Sequence, residues 1–160
     1  MKILVLYYSK GGNTRSLAEA IGEGAGQVEG VEVVLRHTRD VNKDDFVNAQ
    51  GLIIGSPVYF GTMAAQLKQV LDDFVGVRRK MENKVGAAFT TSGDPTGGKE
   101  TTMLSIIQAM LIYGMIIVGD PLSATGHYGT ACVGAPDGAA QENGRKLGQR
   151  VAELVKLLNS

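Results

Sequence analysis

The 160-residue chain predicts an α/β fold, a three-layer doubly wound sandwich on a five-stranded parallel sheet of order 2-1-3-4-5. Three observations carry that prediction. Five apolar runs alternate with segments of helical periodicity, the pattern of repeated strand–crossover–strand units. The second run alternates apolar with polar residues and belongs at an edge, whereas the first and third are continuous and suit strands buried on both faces. Three junctions that follow strands are rich in glycine, hydroxyls or aromatics, as are loops at the carboxyl edge of such a sheet.

The elements follow in order. Lys2–Tyr8 is a continuous apolar strand that stops at Ser9, and a helix runs from about Asn13 to Gly26. Val31, Val33 and Leu35 mark the half-buried edge strand, and Leu52–Gly55 is the next buried one. Leu67, Val70, Leu71 and Phe74 share one helix face. Val85–Thr90 is a strand, Leu104, Ile107 and Leu111 define the apolar face of another helix, and Met115–Val118 is the last strand. Leu147, Val151, Leu154, Val155 and Leu158 close the chain as an amphipathic helix. Without repeats, low-complexity tracts or a linker, residues 1–160 are expected to be one domain.

Composition narrows the function classes. Sixteen basic residues balance sixteen acidic ones, so neither a nucleic-acid nor a membrane surface is expected. No apolar run reaches membrane-spanning length and the chain starts directly in a strand, so no membrane insertion is expected. The single cysteine, Cys132, has no partner for an internal disulfide and fits a cytoplasmic protein, most simply as a buried small residue. His37 and His127 lie far apart with no companion ligands, so no metal site is expected. Arg78, Arg79, Lys80 and Lys84 read as a solvated face, with docking of an acidic partner or a 2′-phosphate as the alternative.

The loop Ser9-Lys10-Gly11-Gly12-Asn13-Thr14 is the most informative stretch. A strand that ends in small and hydroxyl residues just before a helix gathers free N–H groups and the positive end of the helix dipole, which suits a phosphate. Ser9 and Thr14 add hydroxyls, Asn13 an amide, and Gly11 and Gly12 allow close approach of the backbone. A Walker A loop is excluded because Lys10 precedes the glycines. The dinucleotide fingerprint is excluded because Gly22, Gly24 and Gly26 have the wrong position and spacing. A phospho-acceptor site would place aspartates where Tyr8 and Ser56 stand. What remains binds a monophosphate through mostly neutral donors.

Val5, Leu6, Tyr7, Ser9, Gly12, Thr14 and Ala18 fill every fixed place of the flavodoxin signature. The chain thus resembles the flavodoxin superfamily, which implies a flavodoxin-like fold and bound flavin mononucleotide (FMN). In the expected strand order, the switch point between strands 1 and 3 puts a ligand at their carboxyl ends. There the second loop, Ser56-Pro57-Val58-Tyr59-Phe60-Gly61-Thr62, sets an aromatic platform beside the phosphate loop. Tyr59 and Phe60 either contact the flavin or plug the sheet end, and their place at the switch point favours contact. Gly61 either supplies a peptide able to turn toward the flavin or simply begins a helix. The third loop, Thr91-Ser92-Gly93-Asp94-Pro95-Thr96-Gly97-Gly98, has the small residues that let backbone N–H groups reach the flavin's pyrimidine edge. Its Ser-Gly-Asp-Pro sequence is also ordinary turn chemistry.

Gly97-Gly98-Lys99-Glu100-Thr101-Thr102, Gly114–Val118, Tyr128-Gly129, Glu142 and Gly148–Ala152 resemble the branch of WrbA-type NAD(P)H:quinone oxidoreductases. By position, the resemblance implies FMN contacts from Ser9 to Thr14, from Pro57 through Gly61, and from Thr91, Ser92, Gly93, Asp94, Gly97 and Gly98. That branch has a histidine beside the flavin where this chain has Tyr113, which is then either a polar group at the ring or a core aromatic. His127 and Tyr128 are candidates for the flavin rim. Several parts of the branch are missing: longer segments after the second and fifth strands, and a tryptophan after the third helix. These parts build its tetramer and its nicotinamide and quinone pocket.

Two functions follow. In the first, the protein is an electron carrier between redox partner proteins, a monomer or small homo-oligomer with an open flavin edge; its zero net charge is unlike the acidic carriers. In the second it takes hydride from NAD(P)H and reduces a quinone. In either case the flavin does the redox chemistry, and no catalytic side chain is expected.

Overall fold

The computed structural model describes residues 1–160. Strand β1 (Lys2–Tyr7) leads into helix α1 (Asn13–Gly26), β2 (Glu32–His37) and α2 (Lys43–Asn48). Then come β3 (Gly51–Pro57), α3 (Ala65–Asp73), a 3₁₀ segment (Val75–Met81), β4 (Val85–Ser92) and α4 (Lys99–Ile112). The chain ends with β5 (Ile116–Ile117), β6 (Gly129–Val133) and α5 (Gly138–Leu158). All strand pairs are parallel, in the order β2-β1-β3-β4-β5 that the sequence predicts. β1 has neighbours on both sides, with Val5 opposite Leu35 of β2 and Ile53 of β3.

The period of two along a strand explains why the central runs read as uniformly apolar. Ile3, Val5, Ile53, Ala87 and Phe89 point to one face, where Leu17 and Ile21 of α1 and Leu147, Val151 and Val155 of α5 cover them. Leu4, Leu6, Leu52, Ile54 and Ala88 point to the other, against Phe46, Leu67, Met81, Met103, Ile106 and Met110. Small residues set the closest approaches. A Cβ on Gly55 would overlap the Phe89 ring of the neighbouring strand. α1 and α5 meet backbone on backbone, since a Cβ on Gly148 would overlap the carbonyl oxygen of Ile21, and one on Gly24 that of Arg145.

The structure departs from the sequence reading in four places. The fifth strand position is shared: β5 pairs with Val85 and Gly86 at the base of β4, and β6 pairs with Ala88–Ser92 above it. The chain leaves the sheet edge between them and returns. Asp120 holds the excursion by accepting from the Gly126 and His127 N–H groups (both 2.6 Å). His127 and Tyr128 therefore precede the final strand instead of following it. Helix α2 was not anticipated, although its signal was present: Asn42 and Asp45 form a reciprocal capping box. Lys84 closes the other end of α2 by donating to the carbonyls of Phe46, Val47 and Ala49 (3.0, 2.6 and 2.6 Å).

On α4 the buried side is Thr102, Met103, Ile106 and Met110, while Leu104 and Leu111 face solvent. The helix is apolar nearly all round, so periodicity cannot choose between two adjacent stripes. Leu158, at the end of α5, is likewise exposed.

Candidate functional site

The carboxyl ends of β1, β3 and β4 place three loops around one hollow of about 140 Å³. Its walls are Ser9, Lys10, Gly11, Asn13 and Thr14 from the first loop, Pro57, Val58 and Tyr59 from the second, and Thr91, Ser92 and Gly93 from the third. Gly12 is the N-cap of α1 and is not among the lining residues. Phe60, Gly61, Asp94, Gly97 and Gly98 belong to the same loops but stand outside these walls.

The first loop turns on Gly12, whose φ of 95° is the left-handed conformation that favours glycine. Its N–H donates to Ser9 Oγ (3.1 Å), and the first helical bond runs from Ser16 N–H to Gly12 O (2.9 Å). No side chain caps α1 and its first turn carries no acidic residue. The N–H groups of Asn13, Thr14 and Arg15 therefore have no acceptor within the protein. α4 also opens on a left-handed glycine without a side-chain cap, Gly98 with φ 102°, but carries Glu100 in its first turn. Away from the switch point the helices are capped: α2 by Asn42, and α5 by Asp137, which accepts from Ala140 N–H (2.8 Å). Thr14 is buried and its Oγ1 lies 2.8 Å from Thr91 Oγ1. One hydroxyl proton serves that bond, and the other is left for an acceptor in the hollow.

The second loop is a two-residue hairpin. Tyr59 and Thr62 exchange backbone bonds (3.1 and 3.2 Å), and Phe60 and Gly61 between them have φ of 52° and 77°. Both angles are positive, as a type I′ turn requires. A phenylalanine rarely adopts that conformation, and here its ring is fully exposed. Tyr59 beside it is 37% exposed and meets the Tyr8 ring edge-on, centroids 6.2 Å apart. Desolvation, then Tyr8, raises the Tyr59 hydroxyl above the ordinary tyrosine range.

Groups outside the predicted set hold this hairpin. Ser56 Oγ accepts from Ala64 N–H (2.8 Å), Thr90 Oγ1 donates to Ser56 O (2.6 Å), and Thr101 Oγ1 lies 2.6 Å from Gly61 O and 3.0 Å from Gly98 O. A Cβ on Gly98 would stand 2.9 Å from Gly61 Cα, so glycines at both places let the second and third loops mesh. The sequence gives only a faint signal for these groups: hydroxyl residues at strand and helix ends next to glycine loops.

The tip of the third loop is braced by its own side chains. Ser92 Oγ donates to Asp94 O (2.7 Å), and Asp94 Oδ1 accepts from both the N–H and the hydroxyl of Thr96 (2.8 Å each). Those two bonds hold the Asp94 carboxyl below the usual carboxylate range, so it is ionised near neutrality and spent on its own turn. Gly93 leaves open space where a Cβ would stand.

Tyr113 lies away from these loops. α4 starts at Gly98 beside the hollow and carries Tyr113 past its far end, next to the base of β4. There its hydroxyl donates to Leu71 O (2.6 Å), and its ring packs near Phe46. It is a core aromatic, and the alternative of a polar group at the flavin is set aside.

No carboxylate lines the hollow. Uncapped helix N–H groups, hydroxyls and one lysine form a donor set that fits a phosphate monoester, and the adjoining hairpin offers flat apolar surface. The site residues thus fit FMN.

The family model for NADPH-dependent FMN reductase matches residues 1–130. A flavodoxin of Aquifex aeolicus is 35% identical over 98% of this chain and 88% of its own. An NAD(P)H dehydrogenase (quinone) of Archaeoglobus fulgidus is 33% identical over 98% of each chain. Among solved structures, a WrbA-like flavodoxin from Agrobacterium tumefaciens has the same fold, with a TM-score of 0.85 at 24% identity over 98% of both chains. The chain belongs to the flavodoxin superfamily, in the NADPH-dependent FMN reductase family near the WrbA branch, whose members are FMN-binding redox proteins.

Proposed function

We propose that this protein is an electron carrier that docks redox partner proteins against the rim of its FMN site. The observation that carries the reading is the hairpin tip: Phe60, fully exposed and held at positive φ between the Tyr59–Thr62 bonds. An apolar ring presented on a fixed turn at the site's rim suits contact with another protein surface. Chain length supports it too. The match to the quinone dehydrogenase spans 189 positions, more than the 160 residues here, so that relative has segments this chain lacks.

FMN, when bound, supplies one- and two-electron transfer. The residues of this chain bind and orient. The α1 N–H groups with Ser9, Thr14 and Lys10 grip the phosphate. Asn13, Pro57, Val58, Thr91, Ser92 and Gly93 shape the groove, and Tyr59 shields one side of it from water. Thr101 pins the Gly61 carbonyl, so freedom to turn is left to the Phe60–Gly61 peptide. Residues 1–160 act as one FMN-binding domain, cytoplasmic in keeping with the lone thiol of Cys132, and monomeric or a small homo-oligomer.

The second reading is an FMN-dependent NAD(P)H:quinone oxidoreductase, favoured by the family model and the Archaeoglobus relative. An anaerobic stopped-flow titration of FMN-loaded protein with NADH and NADPH separates the two. A carrier keeps its oxidised flavin spectrum on mixing, yet is reduced by light in resolved spectral stages. Rapid bleaching by either nucleotide overturns the carrier reading in favour of the reductase.

A further inference from the structure

A histidine on the neighbouring strand touches the loop at residues 9–14. His37 ends β2, in register with Tyr7 of β1, and its ring is wedged between two tyrosines. The Tyr7 ring meets it at 89° and the Tyr8 ring at 57°, each with centroids 5.5 Å away. Both ring nitrogens have backbone partners. Nδ1 accepts from Arg39 N–H (3.2 Å), with the Thr38 hydroxyl at 3.5 Å. Nε2 accepts from Ser9 N–H (3.5 Å) and also stands 3.3 Å from Ser9 O.

In either neutral tautomer Nε2 has a partner on the Ser9 backbone: carrying the proton it donates to the carbonyl, and without the proton it accepts from the N–H. Ser9 is the residue where the strand ends and the phosphate loop begins, and its hydroxyl accepts the Gly12 N–H that orients the helix start. The imidazole therefore bridges the turn after β2 and the loop after β1, next to the backbone bond from Thr38 N–H to Tyr7 O (2.9 Å).

We propose that His37 is a positioning residue for the phosphate loop: by bonding the Ser9 backbone through Nε2 it fixes the direction in which the free N–H groups of residues 13–15 point. The inference rests on the reading of residues 9–14 as the phosphate grip. It predicts a selective defect. Loss of the bridge weakens ligands held through a phosphate and spares those held through the ring alone, because the hydrogen bonds of His37 go to Ser9, Thr38 and Arg39. It reaches Tyr59 of the second loop through the Tyr8 ring, which an apolar filling keeps in place.

The test compares the dissociation constants of FMN and riboflavin, which differ only by the phosphate, by flavin fluorescence quenching. His37→Leu keeps an apolar filling between the tyrosines and removes both nitrogens. It is expected to weaken FMN roughly five- to tenfold, the effect of one lost hydrogen bond at a binding loop, with riboflavin unchanged. His37→Gln restores an amide, both donor and acceptor, near the place of Nε2 and is expected to recover most of the lost affinity. If His37→Leu leaves the FMN-to-riboflavin ratio at the wild-type value, or if Gln is no better than Leu, the positioning role is wrong. Should Leu fail to fold, a Gln variant with an FMN-to-riboflavin ratio as low as that of Ser9→Ala overturns it equally. A wild-type protein with no preference for FMN over riboflavin would instead refute the phosphate grip itself, and the inference with it.

Discussion

Gly148→Ala sets helix propensity against packing. Gly148 lies within α5, where replacing glycine by alanine ordinarily stabilises a helix by about 1 kcal/mol. In this fold the added Cβ would overlap the carbonyl oxygen of Ile21 and come within 2.9 Å of Ala25 N. Both are main-chain atoms of α1, which cannot rotate away as a side chain could. Overpacking of a tight core costs about 1–3 kcal/mol, and a contact with rigid backbone belongs at the upper end of that range. The net expectation is a loss of about 1–2 kcal/mol. Gly22→Ala in α1 is the control, because its Cβ would meet only Val33 Cγ1 at an ordinary 3.5 Å. That substitution is expected to gain about 0.5–1 kcal/mol. Urea unfolding followed by far-ultraviolet circular dichroism, with a shared slope, reads both. If Gly148→Ala unfolds at the same or higher urea than wild type, the backbone contact between α1 and α5 is not what holds them together.

The remaining expectations concern the site and the core. Ser9→Ala combined with Thr14→Ala is expected to weaken FMN at least tenfold more than riboflavin, since two hydroxyl bonds are lost at about 1 kcal/mol each; equal losses for both ligands would refute the phosphate assignment. Tyr113, desolvated and near Asp72, has its hydroxyl pushed up to about 12. The folded protein keeps that proton while an unfolded tyrosine sheds it near pH 10, so stability falls through the window between them, by about 1 kcal/mol per pH unit. Tyr113→Phe removes this component and, at neutral pH, costs about 1 kcal/mol for the lost bond to Leu71 O. Parallel stability–pH curves for the two proteins above pH 10 would refute the placement of Tyr113.

The parts of the architecture legible in the sequence are those set by local pattern. The continuous run at Lys2–Tyr8 and the alternating run at Val31–Leu35 separated central from edge strand, because burial on two faces or one dictates that difference. The hydroxyl and glycine residues at 9–14 announced a tight turn into a helix with free N–H groups, because missing caps and absent Cβ atoms are properties of residue type. Where two patterns were equally good, the sequence misled: α4 carries two apolar stripes, and only the sheet it lies on chose Met103, Ile106 and Met110 over Leu104 and Leu111. The divided fifth strand was hidden because Gly129–Val133 is short and acquires its meaning from pairing with β4.

The amino-acid sequence by itself determined the strand order and the place of three glycine- and hydroxyl-rich loops at one sheet edge, since each rests on the identity and spacing of neighbouring residues. Tertiary structure alone decided the long-range partnerships. It put Thr14 against Thr91, Thr101 on Gly61 and His37 on Ser9, contacts 77, 40 and 28 residues apart. It also carried Tyr113 to the far end of α4 and left Phe60 uncovered at the rim. Hydrogen bonds and exposure of this kind depend on which elements the folded sheet brings side by side, and no periodicity within one element encodes them.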